Sequence, residues 1–257
     1  MSLKNKIVFI TGASSGIGAA CAKQFAQAEA KLLLCARRLD KLNELADTLK
    51  NKTEIHAFSL DVSSREQVKT CLDALPEKWK AVDVLINNAG LAAGLDTIQN
   101  GNIDDWEQMI DTNLKGLLYV TRAVLPQMVE KNSGHIINIG SIAGHYVYPQ
   151  GGVYCATKFA VNALTNGLRM DLQGTNIRVS TVDPGAVETN FSLVRFKGDE
   201  KRAAAVYAGM QPLTPEDIAD TVFYCANRPP HINISEIIIL PTDQTVMTHS
   251  VMARKEK

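Results

Sequence analysis

A glycine-rich turn between a short apolar run and a helical pattern is the feature that most constrains this chain. The apolar residues at 7–10 are followed by TGASSGIG at 11–18 and then by apolar residues at helical spacing. In such a turn Gly12 would permit a tight bend, Gly16 would let a pyrophosphate approach backbone N–H groups, and Gly18 would allow close helix–strand contact. The order strand, turn, helix therefore predicts a dinucleotide-binding unit at the start of the chain.

Apolar runs of strand length alternate with helical patterns along the whole chain. Such alternation implies a parallel, doubly wound α/β sheet with helices on both faces and a ligand site at the carboxyl ends of the strands. With 257 residues and 46% hydrophobic content, the chain suits one undivided domain. We expect a single Rossmann domain at 1–245 with a seven-stranded, mostly parallel sheet. Residues at about 190–210 are expected to form a helical substrate lid, and 246–257 a C-terminal tail.

Charge and composition exclude several classes of function. The chain has 27 basic and 27 acidic residues and no long like-charge block, which argues against a nucleic-acid or membrane-surface protein. No apolar run approaches the roughly 20 residues of a membrane span, and the first strand begins too early for a signal peptide. The five cysteines lack the spacing of a metal site and are expected to be reduced. These observations predict a cytoplasmic enzyme without a metal ion.

Two arginines follow the second apolar run. In dinucleotide-binding folds this point faces the adenosine ribose, about 20 residues after the glycine turn, and an NAD site has Asp or Glu there. This chain has Arg37 and Arg38. Guanidinium groups attract a 2'-phosphate and can bind it through two hydrogen bonds, so the sequence favours NADP(H). The alternative interpretation is a basic helix start on the surface.

Polar residues also mark the ends of later runs and one helix. Asp61 follows the third run, where its carboxylate could accept from an adenine amino group or simply begin a helix. The small, amide-rich NNAG at 87–90 follows the fourth run and would let the chain pass close to a cofactor. Asn113 lies on the apolar side of a predicted long helix at 104–131. It is either a local hydrogen-bond plug or a member of a catalytic site.

A tyrosine and a lysine four residues apart form a candidate acid/base pair. Tyr154 and Lys158 share one face of a helix predicted to start at Gly152. The ammonium would favour the phenolate and lower the pKa of the tyrosine from about 10 toward the working pH. Ser141 follows the apolar run at 135–139, at the C-terminal end of the predicted strand, and its hydroxyl could donate to an oxygen held by Tyr154. For the pair alone, chance spacing on an ordinary helix is the competing interpretation.

Taken together, these motifs resemble the short-chain dehydrogenase/reductase family over essentially the whole chain. The resemblance implies an oxidoreductase that transfers a hydride to or from a nicotinamide cofactor. It rests on the following features, all in family order: TGASSGIG at 11–18, NNAG at 87–90, Asn113, Ser141, the Tyr154 and Lys158 pair, and PGAVET at 184–189.

The resemblance also implies catalytic roles for four side chains. Tyr154 would be the general acid/base, and Lys158 would lower its pKa and hold the nicotinamide ribose. Ser141 would orient the substrate carbonyl, while Asn113 would support a proton-relay water. The complete set argues against a non-catalytic NADP(H)-binding sensor, which is the alternative from a different functional class.

The predicted NADP site combines residues from all these motifs. Ser15 stands where some NADP-preferring members of the family carry a basic residue, so the cofactor preference depends on Arg37 and Arg38. The residues assigned to the cofactor are Gly12, Ser14, Ser15, Gly16, Ile17, Gly18, Arg37, Arg38, Asp61, Val62, Asn88, Ala89, Gly90, Tyr154, Lys158, Pro184, Gly185, Val187 and Thr189.

Three longer segments narrow the resemblance to one subgroup. ARRLDKL at 36–42, the stretch at 109–144 and ETNFSLVRFKGDE at 188–200 are similar to the NADP-dependent 3-hydroxy acid dehydrogenases. That subgroup acts on serine, allo-threonine and other 3-hydroxy acids, includes malonic semialdehyde reductases, and is typically a homotetramer. The resemblance thus implies a short 3-hydroxy or 3-oxo acid as the substrate.

A carboxylate substrate needs a cation, and the lid offers two. We predict that Arg195 binds the carboxylate beside Ser141 and Tyr154, with Lys197 as the fallback. The alternative is that Arg195 is a solvated lid residue. A reductase of uncharged ketones or diketones is the competing enzyme, and it would not require a substrate carboxylate.

Overall fold

One sheet of seven strands organises the computed structural model, which describes residues 2–244. Its strands are nearly continuous apolar runs, as expected when both faces of a parallel sheet are covered by helices. Their bounds are β1 Ile7–Thr11, β2 Lys31–Ala36, β3 Ile55–Ser59, β4 Val84–Asn87, β5 Gly134–Ile139, β6 Ile177–Pro184 and β7 Glu236–Ile239.

The strand order is β3-β2-β1-β4-β5-β6-β7, and each pairing among the described strands is parallel. The predicted doubly wound, seven-stranded α/β fold is therefore confirmed. The order reverses beside β1, where Ile10 pairs with Leu34 of β2 on one side and Ile86 of β4 on the other. In open α/β sheets, ligands bind outside the carboxyl ends of the strands at such a reversal.

Helices cover both faces of the sheet and bury two apolar cores. On one face Phe25 and Phe223 meet edge to face, with ring centroids 5.4 Å apart. On the other face Phe9, Trp79 and Met128 lie in a second buried cluster. The α-helices are α1 Gly16–Gln27, α2 Leu39–Leu49, α3 Arg65–Asp73, α4 Glu77–Lys80, α5 Ile103–Ile110, α6 Leu117–Glu130, α7 Gly152–Asp171, α8 Phe191–Arg195, α9 Glu200–Ala205 and α10 Pro215–Ala226.

The predicted long helix at 104–131 contains a wide turn. Between α5 and α6 the residues Asp111–Gly116 adopt π-helical geometry, with i to i+5 hydrogen bonding. Asn113 lies in this turn and is 2% exposed. Pro126 lies inside α6, which continues to Glu130. The π-helical turn thus changes which residues of this segment face the carboxyl ends of the strands.

The segment expected to form a lid contains two short helices, α8 and α9, followed by turns up to residue 209. A bond from the backbone N–H of Gly94 to the carbonyl of Arg195, 3.0 Å long, joins α8 to the loop after β4. The predicted tail at 246–257 lies outside the described residues. Among the residues that are described, no helix combines the length and apolar character needed to cross a bilayer.

Candidate active site

A cavity of about 500 Å³ opens at the carboxyl ends of the strands, beside the reversal of strand order. It is lined by most of the residues predicted to bind a cofactor. Gly18, Asn113 and Arg195 are the predicted site residues that do not line it. Those that do are Gly12, Ser14, Ser15, Gly16, Ile17, Arg37, Arg38, Asp61, Val62, Asn88, Ala89, Gly90, Ser141, Tyr154, Lys158, Pro184, Gly185, Val187 and Thr189.

The glycine turn is built to bring backbone close to a ligand. Gly12 has a φ of +66°, a backbone angle that residues other than glycine rarely adopt. Gly18 lies behind the turn, where a Cβ would come within 2.5 Å of the Gly12 carbonyl oxygen. Ser15 precedes α1 without a side-chain cap, so the first N–H groups of the helix suit an anion. This cradle fits the pyrophosphate of a dinucleotide.

Hydrogen bonds attach the NNAG segment to the glycine turn. The Asn88 side-chain amide donates to the carbonyl oxygens of Thr11, at 2.8 Å, and Gly12, at 3.2 Å. The Thr11 hydroxyl oxygen accepts from the backbone N–H groups of Asn88 and Ala89, both at 3.0 Å. The ends of β1 and β4 are thereby held together on one side of the cavity.

Arg38 contacts the glycine turn directly. Its Nη2 lies 3.3 Å from Ser14 Oγ and 3.2 Å from Ser15 Oγ, so the guanidinium donates to both hydroxyls. Arg37 is exposed at the same end of β2 and also lines the cavity. The Asp61 carboxylate accepts from the Ser63 hydroxyl at 2.7 Å. This end of the cavity therefore combines two guanidinium groups with one carboxylate.

Tyr154 and Lys158 lie on the opposite side of the cavity, on the first turns of α7. Each is 7% exposed, and Lys158 Nζ lies 5.9 Å from the centroid of the Tyr154 ring. Lys158 Nζ donates to the carbonyl of Ile139, the last residue of β5, at 2.9 Å. The Ser141 hydroxyl oxygen accepts from the N–H of Ala143 at 3.1 Å, and this hydroxyl also hydrogen-bonds the Tyr154 phenol.

The pKa of Tyr154 is raised rather than lowered, which corrects the sequence-based expectation. Burial is the main cause, because an apolar environment disfavours the phenolate. The hydrogen bond from Ser141 and the charge of Arg195 oppose this rise. Burial also acts on Lys158 and lowers its pKa to about 8. At neutral pH the pair therefore consists of a neutral phenol and a protonated but easily deprotonated amine.

Asn113 is fully engaged with protein groups. Its side-chain oxygen accepts from the N–H of Leu91, and its amide donates to the Leu91 carbonyl, both at 2.8 Å. The same amide donates to the Thr157 hydroxyl at 3.1 Å, and that hydroxyl donates to the Tyr154 carbonyl at 2.7 Å. Asn113 thus connects the π-helical turn to the loop after β4 and to the helix that carries Tyr154.

Arg195 lies over the Tyr154 ring, with 5.6 Å between its guanidinium carbon and the ring centroid. Its Nε donates to the Gly94 carbonyl at 3.1 Å, and its Nη2 donates to the Tyr148 hydroxyl at 2.7 Å. Arg195 and Tyr154 both line a small cavity of about 20 Å³ between α8 and α5. Lys197, by contrast, is exposed and pairs with Asp105 at 2.9 Å.

Sequence reasoning missed several residues of the site. Tyr148 holds Arg195 from a loop whose sequence has no periodic pattern. Phe191 packs edge-on against Tyr154, with ring centroids 5.7 Å apart, and its position in the lid segment was the available signal. The further unpredicted residues along the large cavity are Ala36, Leu60, Leu91, Thr112, Ile139, Gly140, Asn190 and Val194.

The sequence model of the short chain dehydrogenase family matches residues 6–199. The chain belongs to this family. The resemblance on which the expectations above depended is therefore confirmed.

Curated relatives and solved structures share most of the length of this family member. The NADP-dependent 3-hydroxy acid dehydrogenase YdfG of Salmonella typhi is 46% identical over 246 residues, covering 95% of this chain and 98% of that protein. Sulfoacetaldehyde reductase 2 of Chromohalobacter salexigens is 46% identical over 239 residues, covering 93% of this chain and 95% of that protein. A solved closed form of serine dehydrogenase complexed with NADP+ superimposes with a TM-score of 0.91 at 45% identity, covering 95% and 98% of the two chains.

The buried ammonium of Lys158 should reduce the stability of this protein. The pKa of Lys158 falls from 10.5 to about 8 on folding, so the unfolded state binds this proton more tightly. The resulting destabilisation is present at pH 7 and disappears as pH rises from about 8 to 10.5. We expect Lys158→Met to raise the free energy of unfolding at pH 7 by up to about 3 kcal/mol.

Urea unfolding at pH 7 and at pH 10 measures this effect, with the exposed Lys52→Met as the matched control. The gain should shrink at pH 10, and the control should change little at either pH. A Lys158→Met protein less stable than the wild type at pH 7 would contradict the prediction.

Proposed function

We propose that this chain is an NADP-dependent oxidoreductase that transfers a hydride between NADP(H) and the 3-carbon of a short 3-hydroxy or 3-oxo acid. One observation carries the proposal. The Arg195 guanidinium lies 5.6 Å from the centroid of the Tyr154 ring, so a proton donor and an anion-binding group face the same small space. The names of the relatives, a 3-hydroxy acid dehydrogenase and a serine dehydrogenase, agree with such a substrate.

In this proposal Tyr154 moves the proton. When bound, NADP(H) supplies or accepts the hydride. In the reduction the Tyr154 hydroxyl donates its proton to the developing alkoxide, and its raised pKa means that the proton is present at neutral pH. Ser141, which hydrogen-bonds the same phenol, orients the substrate oxygen. In the oxidation the Tyr154 phenolate takes the proton of the substrate hydroxyl, and the positive charge of Lys158, which would also hold the nicotinamide ribose, favours that phenolate.

Asn113 acts in this proposal by supporting the proton path from behind Tyr154. Its side-chain oxygen accepts from Leu91, and its side-chain nitrogen donates to Leu91 and to Thr157. Thr157 in turn donates to the Tyr154 carbonyl. Asn113 would therefore support a relay water indirectly, by fixing the positions of Leu91, Thr157 and the backbone of Tyr154. Its side-chain atoms are already bonded to protein.

The cofactor preference is assigned to the end of β2. Arg38 is oriented by Ser14 and Ser15, and Arg37 stands beside it on the same cavity. Oriented guanidinium groups bind a phosphate through charge-assisted hydrogen bonds, while NADH offers only a neutral hydroxyl there. The pair therefore favours NADP(H) over NAD(H).

The double change Arg37→Asp with Arg38→Ser should reverse this preference. Loss of two charge-assisted contacts is expected to lower the ratio of kcat/KM for NADPH to that for NADH by about 100-fold or more. Steady-state rates with both cofactors and one substrate give the ratio. Lys41→Ala, which changes an exposed residue of α2 just after the two arginines, should keep the wild-type ratio. An unchanged ratio in the double variant would remove both arginines from cofactor selection.

Arg195 is the proposed anion site. Its contacts to Gly94 and Tyr148 use two N–H groups, and a guanidinium carries five. The remaining N–H groups can bind a carboxylate through two parallel hydrogen bonds. Sulfoacetaldehyde, named for one relative, carries a sulfonate instead, so a terminal anion on a short carbon chain is the feature shared by the substrates of the relatives.

Arg195→Ala should raise KM for 3-hydroxypropionate and L-serine by about 10- to 100-fold, because a charge-assisted contact to the substrate is lost. KM for NADP+ should stay near the wild-type value. Lys197→Ala is the control, since Lys197 is exposed and pairs with Asp105, and its KM values should match the wild type. If KM for these acids is unchanged in Arg195→Ala, the carboxylate assignment fails.

A spectrophotometric screen tests the proposed function itself. Serine, allo-threonine, 3-hydroxypropionate, malonic semialdehyde and sulfoacetaldehyde are offered with both cofactors, alongside neutral ketones and diketones. Tyr154→Phe should lose turnover of the preferred substrate while still binding NADPH. Equal rates with neutral ketones would favour the uncharged-ketone reductase, and binding of NADPH without any turnover would favour the sensor.

The same proposal includes a homotetramer located in the cytoplasm, as in the subgroup that the sequence resembles. Apolar side chains exposed on α6 and α7, such as Leu118, Phe159 and Met170, support self-association. Light scattering of the purified enzyme gives the subunit count.

A further inference from the structure

A buried carboxylate lies behind the proposed catalytic lysine. Asp183, near the end of β6, is 0% exposed. Its Oδ2 lies 2.8 Å from His145 Nε2 and accepts from the Thr181 hydroxyl at 3.4 Å. His145 Nε2 is also 3.3 Å from a carboxylate oxygen of Glu236, on the neighbouring strand β7. The cluster reaches the surface through Glu236, whose side chain is 44% exposed.

The second oxygen of Asp183 is unusual. Oδ1 is buried and has no hydrogen-bond partner among the described residues. It lies directly against Gly140, where an added Cβ would be 1.8 Å away. An unpaired buried carboxylate oxygen is costly, because its charge has been taken out of water without compensation. A positive charge nearby would lower this cost.

That charge is one peptide unit away. Gly140 follows Ile139, whose carbonyl oxygen accepts from Lys158 Nζ at 2.9 Å. The peptide that joins Ile139 to Gly140 thus has the Lys158 ammonium at its oxygen and the Asp183 carboxylate at its far Cα. Lys158 is 7% exposed and, like Asp183, cannot rely on water to stabilise its charge.

We propose that Asp183 is the counter-charge that keeps Lys158 protonated, and that His145 and Glu236 control the charge on Asp183. Asp183 is therefore a positioning residue for the proposed reaction, since it acts through Lys158 and does not touch the substrate. The cluster extends the site from the cofactor cavity to the exposed carboxylate of Glu236 on the neighbouring strand β7.

The charges around the two groups agree with this assignment. The group that faces Lys158 from its own helix is the Tyr154 phenol, which is neutral at pH 7. Burial lowers the pKa of Lys158 to about 8, and the charge of Asp183 opposes that fall. Asp183 itself is in contact with His145 and Glu236. Burial raises its pKa to about 6, the hydrogen bond from His145 lowers it, and the contact with Glu236 raises it.

The two shifted pKa values define the pH range in which Lys158 and Asp183 are both charged. Below about pH 6 Asp183 is neutral and Lys158 loses its counter-charge. Above about pH 8 Lys158 itself loses its proton. Both groups are charged between these limits, and the width of the range depends on their interaction across the Ile139–Gly140 peptide.

The test follows the titration of Lys158 in the cofactor-free protein. The 13Cε resonance of lysine reports its charge and is assigned by comparison with Lys158→Met. The wild type should show a main step near pH 8 and a smaller step near pH 6 from Asp183. In Asp183→Asn the smaller step should vanish, and the main step should move down by on the order of one pH unit.

Two further variants separate this role from a structural one. Asp83→Asn removes a half-buried carboxylate at the other end of the sheet, where it pairs with Lys6 and Lys131, and should leave the Lys158 curve unchanged. His145→Ala removes a hydrogen bond that stabilises the Asp183 carboxylate, so the smaller step should move to higher pH. If Asp183→Asn does not fold, His145→Ala still decides the matter.

The proposal is overturned if the Lys158 curve of Asp183→Asn superimposes on that of the wild type. An equal shift in Asp83→Asn, or an unmoved small step in His145→Ala, overturns it as well. The link to catalysis rests on the proposed function, and there the alkaline limb of kcat/KM for reduction should move with the Lys158 step. Failure of the proposed function is distinguishable, because it would leave the cofactor-free titrations as described and abolish turnover in the wild type.

Discussion

Hydrogen bonds between Thr11 and the Asn88–Ala89 backbone join the ends of β1 and β4, and the site depends on this junction. The strand order reverses there, so the helices after the two strands leave on opposite faces and a crevice opens between them. The glycine turn forms one wall, and α7 presents Tyr154 and Lys158 on the other. Small or polar residues at this junction let the backbone of both turns face the crevice. A bulky side chain at Gly18 would separate them.

Local patterns were sufficient to predict the fold and most of the large cavity. Apolar runs and helical spacing depend on near neighbours in sequence, and both faces of a parallel sheet must be covered, so alternation leads directly to the architecture. Once the strands are parallel, their carboxyl ends lie together. Residues as distant in sequence as Gly12, Arg37, Asn88 and Ser141 could then be assigned to one site by their position after a strand.

Features that depend on contacts between distant segments were not predictable. The π-helical turn around Asn113 shifts which side of its helix faces the site, and it is held by bonds to Leu91 and Thr157, which lie far away in sequence. The hydrogen bond between Arg195 and Tyr148 joins residues 47 positions apart, with no spacing rule to reveal it. The pKa of Tyr154 was expected to fall because of a charged neighbour, whereas burial dominates. The burial of a single residue depends on the packing of the whole structure, so the spacing of residues along one helix does not predict it.

The guanidinium of Arg195 is already fixed between Gly94, Tyr148 and the Tyr154 ring. A free arginine side chain loses up to about 2 kcal/mol of rotamer entropy when it is immobilised. Here that loss accompanies folding, so the anion of the proposed substrate would meet a rigid, preorganised partner and keep more of the interaction as affinity. In the proposed function, discrimination between anionic and neutral molecules would then come from a guanidinium charge that is already held in place, and it would require no reordering of the side chain.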